Sequence, residues 1–373
     1  MKKKIAFIFG TRPEIIKMSP IIRQCINNKI PFFTVHSGQH YSRSMSDHFL
    51  KELKLPAADY DLKIRSKAPY KQGDHTGRMM VKLEEILLKE MPLVVLVQGD
   101  TNSALAGALT ASKISTTKAF TGFDIKVGHV EAGLRSYDRT MPEEINRVII
   151  DHLSDYLFVP SSDAKKIVIS EGIKRDKIWV TGNTIVDAVY HARDLNTNTK
   201  DERRRTKDEG YILLTLHRQE NVDDKKRLRK ILRGVEQVSK KYKLPVIFPI
   251  HPRTIKKIEM FNISIPKSVN IVKPKGFLDF IQLELNARLI LTDSGGLQEE
   301  ACALKTPCVT LRDSTERPET VKAGANIVAG IEPDAIVRCA DRMFLVKKNW
   351  RNPFGNGKAA VKILDILKKD NNI

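Results

Sequence analysis

A short glycine turn is the segment of this sequence best suited to hold a phosphate group. Residues 291–296 are LTDSGG, and they join a predicted strand to a predicted helix over residues 297–304. Glycine lets the backbone approach phosphate oxygens closely, and the first turn of a helix offers unpaired N–H groups and positive potential. Ser294, Gly295 and Gly296 are therefore candidate diphosphate ligands, although an N-capped helix after a glycine turn has the same sequence signature.

Two charged residues near this turn could complete the site. Glu300 lies one helical turn after Gly296 and could reach a sugar or ribose hydroxyl, but the helix dipole alone also favours a carboxylate there. Arg317 follows the next predicted strand at the same sheet edge. It could pair with phosphate, or it could form an ordinary surface ion pair.

A second candidate anion site follows the first predicted strand, residues 5–9. The sequence GTRPE at 10–14 opens a predicted helix, with Lys17 one turn further on. Arg12 could contact phosphate through two N–H groups and Lys17 could add a point charge, whereas the alternative is a tight turn with exposed cations. A single glycine is not a G-x-G-x-x-G fingerprint, so no tightly bound nicotinamide or flavin cofactor is predicted.

Three acids in the first half follow predicted strands or open a helix, namely Asp100, Glu131 and Glu143. Each has a structural alternative: Asp100 could cap a helix, Glu131 could be an edge acid, and Glu143 could offset a helix dipole with Arg147 as its i+4 partner. Carboxylates that converge at one sheet edge repel one another, which favours keeping one of them protonated. Such a set suits general acid and base catalysis.

His217 ends the first predicted strand of the second half. It could bind phosphate or carry a proton, and a strand-end histidine can equally be structural. No G-x-S-x-G motif occurs, so a serine nucleophile has no support.

These candidates require strands that end at a common edge. Short apolar runs alternate with helical periodicity throughout the chain, which is typical of parallel sheets covered by helices on both faces. The predicted strands are 5–9, 32–36, 93–98, 127–131, 156–159 and 178–181, then 211–216, 246–250, 269–272, 289–292, 308–311 and 327–329. We expect two Rossmann-like domains, 1–186 completed by a C-terminal helix in 355–373, and 211–354, joined by a polar linker region, 187–210.

Composition limits the partners and the compartment. The chain has 64 Lys and Arg against 44 Asp and Glu, a formal charge of +20, which draws in anions. Basic residues are not interleaved with aromatics, so a solvated lysine-rich surface is favoured over nucleic-acid binding. Four cysteines without C-x-x-C spacing predict neither disulfides nor a metal site, and no membrane span or complete signal peptide is found. We expect a cytoplasmic protein.

Taken together, the motifs resemble those of the non-hydrolysing UDP-N-acetylglucosamine 2-epimerases. The matching segments are GTRPEIIK, GDT, GHVEAGLR, PEEINR, TGNT, HRQEN, DSGGLQEE and ERPE, in the family's order. The resemblance implies the glycosyltransferase-B fold, which is α/β with two Rossmann-like domains facing a central cleft, and usually a homodimer.

The resemblance also implies roles for individual residues. Asp100, Glu131 and Glu143 become the proton-handling acids. The implied nucleotide-sugar contacts are His217, Ser294, Gly295, Gly296, Glu300 and Arg317, with Arg12 and Lys17 near the diphosphate. Lys275 and Phe280 align with the uracil-binding stretch, although an aromatic at helical spacing is otherwise a core residue. Gln39 and His40 match a region that binds a second, activating UDP-GlcNAc in bacterial relatives.

The implied reaction is reversible epimerisation at C2 of UDP-GlcNAc, giving UDP-ManNAc for glycan or polysaccharide synthesis without metal or redox cofactor. Two features depart from the family pattern: residues 116–125 form a longer connection, and Leu216 replaces a glycine found in many relatives. The alternatives are a nucleotide-sugar glycosyltransferase of the same fold, a hydrolysing epimerase, and a nucleotide-sugar-binding regulator without catalysis.

Overall fold

The computed structural model describes residues 4–38, 49–64, 71–122, 124–197 and 210–371. Its contacts divide the chain into two compact units. The first unit comprises Met1–Ala188 together with Phe354–Ile373, and the second is the continuous segment Val189–Pro353. The chain therefore leaves the first unit once and returns to it.

The first unit is built on a parallel sheet of seven strands. The strand order is β3-β2-β1-β4-β5-β6-β7. The strands are β1 Ile5–Phe9, β2 Phe32–His36, β3 Tyr60–Asp61, β4 Val94–Gln98, β5 Lys126–Val130, β6 Tyr156–Val159 and β7 Ile178–Val180. The order reverses between the neighbours β1 and β4, which creates a crevice outside their carboxyl ends.

Helices cover both faces of this sheet. They are Arg12–Asn27, Gln72–Glu90, Asn102–Thr116, Lys118–Thr121, Pro142–Leu153, Ser162–Ser170, Thr184–Thr197 and Ala359–Asn371, with a 3₁₀ turn at Arg175–Lys177. The helix Thr184–Thr197 crosses the boundary between the units at Ala188. The last helix buries Ile363 and Leu367. Asp187 accepts hydrogen bonds from the backbone N–H groups of Ala359 and Ala360 at 3.1 and 2.9 Å, which fixes the start of that helix within the first unit.

The second unit repeats the plan with six parallel strands in the order β10-β9-β8-β11-β12-β13. The strands are β8 Tyr211–Thr215, β9 Val246–Pro249, β10 Val269–Val272, β11 Ala287–Thr292, β12 Cys308–Thr310 and β13 Asn326–Val328. Its helices are Gln219–Val222, Lys225–Tyr242, Pro252–Met260, Phe277–Asn286, Gly295–Leu304, Pro318–Lys322 and Pro333–Leu345. The order reverses between β8 and β11.

The helix Lys225–Tyr242 illustrates how the sequence specifies these elements. Oδ1 of Asp224 accepts hydrogen bonds from the N–H groups of Lys226 and Arg227 at 2.7 and 3.0 Å, so it caps the helix start. Leucine, isoleucine and valine recur at helical spacing and are buried, whereas the lysines and arginines lie on the other face. The helix ends at Tyr242, and the next residue, Lys243, adopts φ +53°.

The α/β class is confirmed, and each of the twelve predicted strands overlaps one of β1, β2 or β4–β13. The exception in the described residues is β3, which the sequence analysis did not predict because two residues carry no periodic pattern. The predicted linker region 187–210 begins inside a helix that continues to Thr197, and residues 198–209 lie outside the described part.

Candidate active site

The predicted site residues gather at the carboxyl ends of strands beside the two points where strand order reverses. In the first unit, Gly10 to Arg12 follow β1, Gly99 and Asp100 follow β4, and Glu131 follows β5. In the second unit, His217 comes two residues after β8, and Asp293 comes directly after β11. Ligands of open parallel sheets bind at such edges.

Glu131 is held in an unusual backbone conformation. Its φ is +69°, the left-handed region that non-glycine residues seldom adopt, and its side chain is 4 % exposed. Its carboxylate accepts hydrogen bonds from Nζ of Lys17 and, at 2.7 Å, from Nε2 of Gln98. The turn after β5 therefore aims a buried carboxylate at a lysine on the helix that follows β1.

Asp100 also holds a cation. Nη2 of Arg147 donates to its carboxylate, and the amide of Asn146 donates to its backbone carbonyl at 2.9 Å. The sequence alternative for Asp100, capping the helix from Asn102, is wrong, because Oγ1 of Thr101 accepts the bond from the N–H of Ala104. The carboxylate of Asp100 is thus not used as a helix cap.

Glu143 differs from the other two acids because its side chain is exposed at the start of the helix Pro142–Leu153. Its neighbour Glu144 is buried and accepts bonds from the N–H groups of Ser136 and Tyr137 at 2.9 and 3.0 Å. Arg147, expected to partner Glu143, contacts Glu144 instead at 3.2 Å, in addition to Asp100. The structure therefore brings Asp100, Glu131 and their cations to the sheet edge, and Glu144 braces the adjacent loop.

The repulsion expected among the acids is offset by basic side chains. Lys17 pairs with Glu131, and Arg147 pairs with Asp100, so each buried or half-buried carboxylate faces its own positive charge. Sequence reasoning placed Lys17 near a diphosphate; in the structure its ammonium contacts an acid.

Glu14, in the GTRPE motif, was missed as a candidate. Its carboxyl group accepts bonds from the N–H groups of Gly10 and Thr11 at 3.0 and 2.8 Å and from Oγ1 of Thr101 at 2.7 Å. Burial raises the pKa of Glu14 to about 7, although these hydrogen bonds act in the opposite direction. The residue ties the loop after β1 to the loop after β4.

In the second unit, Asp293 joins two loops. Its carboxylate is fully buried and accepts bonds from the N–H groups of His217 and Arg218 and from the amide of Asn221, at 3.0 to 3.3 Å. Nδ1 of His217 lies 3.2 Å from the same carboxylate, and its side chain is 41 % exposed. Asp293 therefore orients His217, one face of which remains accessible.

The glycine turn opens the helix Gly295–Leu304, as predicted. Oγ of Ser294 accepts a bond from the N–H of Leu297 at 3.4 Å and caps the helix. A Cβ at Gly296 would have no atom within 4 Å, so a ligand can approach that backbone. A Cβ at Gly295 would lie 3.8 Å from Nη2 of Arg218, a cation that the sequence analysis did not single out.

The acids of the same helix take different partners. Nε of Arg317 donates to the buried carboxylate of Glu299, so Arg317 forms an ion pair, but a buried pair and not the ordinary surface pair of the sequence alternative. Glu300 lies against Glu284, and burial, together with the charge of Glu300, holds the pKa of Glu284 well above its usual range.

The remaining candidates are less enclosed. Phe280 is half-buried and packs against the core of the second unit, as the core alternative predicts, and Lys275 is exposed. The guanidinium of Arg12 lies 4.8 Å from the ring centre of Phe49. Gln39 and His40 lie outside the described residues.

Two further features concern metal binding and membrane insertion. Within the described part of the chain, no three His, Cys, Asp or Glu side chains are arranged to hold a metal ion. No helix in the described ranges is long and apolar enough to cross a membrane.

Comparison with known proteins identifies the family. Residues 24–368 match the family model described as UDP-N-acetylglucosamine 2-epimerase. The UDP-N-acetylglucosamine 2-epimerase of Methanocaldococcus jannaschii is 50 % identical over 374 residues, covering 98 % of each chain. The chain belongs to this family.

A crystal structure and a second relative place the chain within the epimerase family. The structure of the M. jannaschii UDP-GlcNAc 2-epimerase in complex with UDP-GlcNAc and UDP matches with a TM-score of 0.86 at 49 % identity, over 98 % of this chain and 99 % of that one. The UDP-2,3-diacetamido-2,3-dideoxy-D-glucuronate 2-epimerase of Pseudomonas aeruginosa is 39 % identical over 98 % of this chain and 99 % of its own. The predicted glycosyltransferase-B fold class is confirmed.

Proposed function

We propose that this chain interconverts UDP-GlcNAc and UDP-ManNAc by inverting C2 of the sugar. The C2 hydrogen has no adjacent carbonyl to acidify it, so direct proton exchange at that carbon is very slow. The proposed route eliminates UDP across C1–C2 to give 2-acetamidoglucal, then returns UDP after protonation from the opposite face. Membership of the epimerase family supports the overall reaction.

The acids of the first unit handle the proton in this scheme. The proposal rests chiefly on the geometry at Glu131. The turn after β5 holds this residue in a strained backbone conformation, with its buried carboxylate beside Lys17 and Gln98. Asp100 with Arg147 is the second acid. Glu143 is the third, and its exposed side chain leaves it free to reach substrate from the start of its helix.

The second unit holds the leaving group. N–H groups of Gly295 and Gly296, the hydroxyl of Ser294 and the half-exposed ring of His217 suit a departing diphosphate. Arg12 adds positive charge near the diphosphate, and Lys17 and Arg317 contribute to it beside their carboxylate partners Glu131 and Glu299. Glu300 takes a sugar or ribose hydroxyl, and Lys275 with Phe280 contacts the uracil.

Proton NMR of UDP-GlcNAc and the enzyme in deuterated water tests the reaction and the route together. The expected product is UDP-ManNAc that carries deuterium at C2. Free ManNAc with UDP would instead indicate a hydrolysing epimerase, and the absence of C2 exchange would favour a glycosyltransferase or a binding protein. Exchange only with UDP-2,3-diacetamido-2,3-dideoxy-D-glucuronate would reassign the substrate.

Substitutions of the acids test their roles. We expect Asp100→Asn and Glu131→Gln each to lower kcat by about 10²–10⁴-fold, the usual contribution of a positioned acid or base. Glu84→Gln, an exposed side chain on the helix Gln72–Glu90, is the control and should leave kcat unchanged. Full activity in Glu143→Gln would remove Glu143 from the set without affecting the other two.

We also propose a cytoplasmic homodimer that supplies ManNAc-type sugars for glycan or polysaccharide synthesis. A reducing compartment suits the three buried free thiols, Cys25, Cys302 and Cys308. Sedimentation equilibrium measures the oligomeric state, and a monomer at all concentrations would contradict the dimer.

A further inference from the structure

His129 lies in the buried centre of β5 and is hydrogen-bonded through both ring nitrogens. Nδ1 lies 2.7 Å from Oδ1 of Asp151, and Nε2 lies 2.9 Å from the carbonyl oxygen of Gly99. The side chains of His129 and Asp151 are 1 % and 0 % exposed. Because a carboxylate and a carbonyl are both acceptors, each ring nitrogen is placed to donate a hydrogen bond to its partner.

Asp151 makes further contacts from the helix Pro142–Leu153. Its carboxylate accepts a bond from the N–H of Gly133 at 3.1 Å and lies 2.7 Å from Nη1 of Arg135, which in turn pairs with Glu171. Burial opposes the charge, but His129 and Arg135 hold the pKa of Asp151 below its usual range. The carboxylate of Asp151 is therefore ionised and joins β5 to the turn that follows it.

The two backbone groups held by this pair flank the proposed acids. Gly99 directly precedes Asp100, and Gly133 comes two residues after Glu131. Gly99, Glu131 and Gly133 have φ values of +68°, +69° and +81°. Backbone hydrogen bonds hold part of each turn, since the N–H of Gly99 donates to Val130 and the N–H of Glu131 donates to Phe158, both at 3.1 Å. The carbonyl of Gly99 and the N–H of Gly133 are bonded by side chains instead, those of His129 and Asp151.

We propose that His129 and Asp151 are positioning residues that hold the turn carrying Asp100 and the turn carrying Glu131 in one fixed arrangement. This inference rests on the proposed roles of the two acids. It adds that one buried pair determines the positions of both acids. The ring of His129 bonds the backbone of the turn that carries Asp100, and the carboxylate of Asp151 bonds the backbone of the turn that carries Glu131.

His129→Gln tests the inference. The glutamine amide has one nitrogen, which can replace only one of the two ring nitrogens. Either the bond to the Gly99 carbonyl or the bond to Asp151 is therefore lost, and the link between the two turns is broken. We expect kcat to fall by at least about tenfold while KM changes by less than about threefold, because misplaced groups slow the chemical step more than they weaken binding. A normal kcat in a folded variant would overturn the proposal if Asp100→Asn and Glu131→Gln are inactive.

Asp151→Asn is the conservative counterpart. Its carbonyl can accept from Gly133, and its amide can donate to Nδ1 of a neutral His129, which leaves the Nε2 proton for Gly99. We expect lower stability, because Arg135 loses a charged partner, but a kcat within about threefold of wild type. A tenfold loss of kcat would contradict positioning by hydrogen bonds.

His75→Gln is the matched control. His75 is 3 % exposed, and its Nε2 lies 3.4 Å from the carbonyl oxygen of Ile64, a residue of neither turn. The same substitution at a buried histidine of the same unit should lower stability and leave kcat unchanged. An equal fall of kcat in His75→Gln would mean that the His129 effect is general destabilisation, which overturns the proposal.

Amide hydrogen exchange gives a readout that does not depend on activity. Peptides that contain residues 99–101 and 131–134 should exchange faster in His129→Gln than in wild type. In Asp151→Asn and His75→Gln they should exchange near the wild-type rate. Unchanged exchange in His129→Gln would overturn the inference.

If His129→Gln shows faster amide exchange but a normal kcat, the activities of Asp100→Asn and Glu131→Gln decide which inference fails. If those variants are inactive, the positioning inference fails. If they are active, the proposed acid roles fail instead, and the hydrogen-bonding of the turns stands.

Discussion

The buried carboxyl group of Glu14 links the loops after β1 and β4 by hydrogen bonds. It receives three hydrogen bonds and yet titrates near neutral pH, because burial raises its pKa to about 7. The folded protein therefore binds a proton at this site that the unfolded chain releases above its ordinary pKa near 4.5. Stability contributed by this proton is fully present below that lower value and is lost as the pH rises through about 7.

Glu14→Gln should flatten this pH dependence. The amide is isosteric, with an oxygen for the Gly10 and Thr11 N–H groups and a donor for Thr101. A tenfold difference in proton affinity between the folded and unfolded states corresponds to about 1.4 kcal/mol. Because the pKa rises from 4.5 to about 7 on folding, Glu14 contributes about 3 kcal/mol to the difference in stability between acidic and neutral pH. Urea unfolding of wild type and variant between about pH 5 and about pH 8.5 measures the two slopes.

Glu84→Gln, on the exposed face of the helix Gln72–Glu90, controls for the loss of a carboxylate elsewhere. Its pH profile should parallel that of wild type. Parallel profiles for wild type and Glu14→Gln would contradict the assignment of the titration to Glu14.

Gly296→Ala separates phosphate binding from folding. An added Cβ meets no protein atom, and alanine in place of glycine stabilises a helix by about 0.5–1 kcal/mol. The same methyl group would obstruct a diphosphate, so we expect thermal stability to rise while the Kd for UDP, measured by calorimetry, increases about tenfold or more.

Gly73→Ala is the matched control for Gly296→Ala. Gly73 is also the second residue of its helix and also has open space around a Cβ. It should gain similar stability and bind UDP normally. Unchanged UDP affinity in Gly296→Ala would contradict the phosphate-binding role of the turn.

The sequence identified the acids that follow strands but not all of their contacts. Asp100 and Glu131 were predictable because parallel strands end at one edge. Glu143 and Glu144 are adjacent in the first turn of a helix and point in directions about 100° apart, so periodicity could not say which is buried. Lys17 and Glu131 are 114 residues apart, and only the folded backbone brings them together.

At the scale of elements, the turn after β5 is where backbone geometry constrains the site most. Gly133 has φ +81°, and a Cβ there would lie 2.8 Å from the carbonyl oxygen of Ala164. The helix Ser162–Ser170 thus packs directly against the turn that carries Glu131. A side chain at 133 would have to displace the helix or the turn.

Gly133→Ala should destabilise the protein more than Gly172→Ala. Both glycines have positive φ, +81° and +86°, but a Cβ at Gly172 has open space. We expect a loss of about 1 kcal/mol for Gly172→Ala from the backbone alone and about 2–4 kcal/mol for Gly133→Ala, which adds a clash. Denaturant unfolding gives both values, and equal losses would mean that the turn and helix adjust without cost.

Element prediction succeeded where hydrophobic periodicity was strong. β1, β2, β6 and β10 have the predicted bounds. β1 and β6 are entirely buried apolar runs, as expected of interior parallel strands, whereas β10 lies at a sheet edge and only its first residue is buried. Errors of one or two residues occur at strand ends, where apolar residues continue into loops. Leu216, for example, is buried but lies just beyond β8.

At the scale of the whole molecule, the excess of 20 positive charges should assist the capture of an anionic substrate. Salt screens such attraction over about 10 Å at 0.1 M. We therefore expect kcat/KM for UDP-GlcNAc to fall several-fold between about 20 and 200 mM NaCl, with kcat at saturating substrate unchanged. Steady-state kinetics at constant pH provide the measurement, and a flat kcat/KM would indicate that the surface charge does not steer the substrate.

The return of the chain to the first unit has a consequence for engineering. The second unit is one uninterrupted insertion, 189–353, and the first unit closes around its two ends, because the N–H of Asn183 donates to the carbonyl oxygen of Phe354 at 2.8 Å. A short flexible connector from Ala188 to Phe354 could therefore replace the insertion. The first unit, which carries the acids, could then be produced without the second unit. Truncation at residue 188, by contrast, would also remove the helix Ala359–Asn371 that completes the first unit.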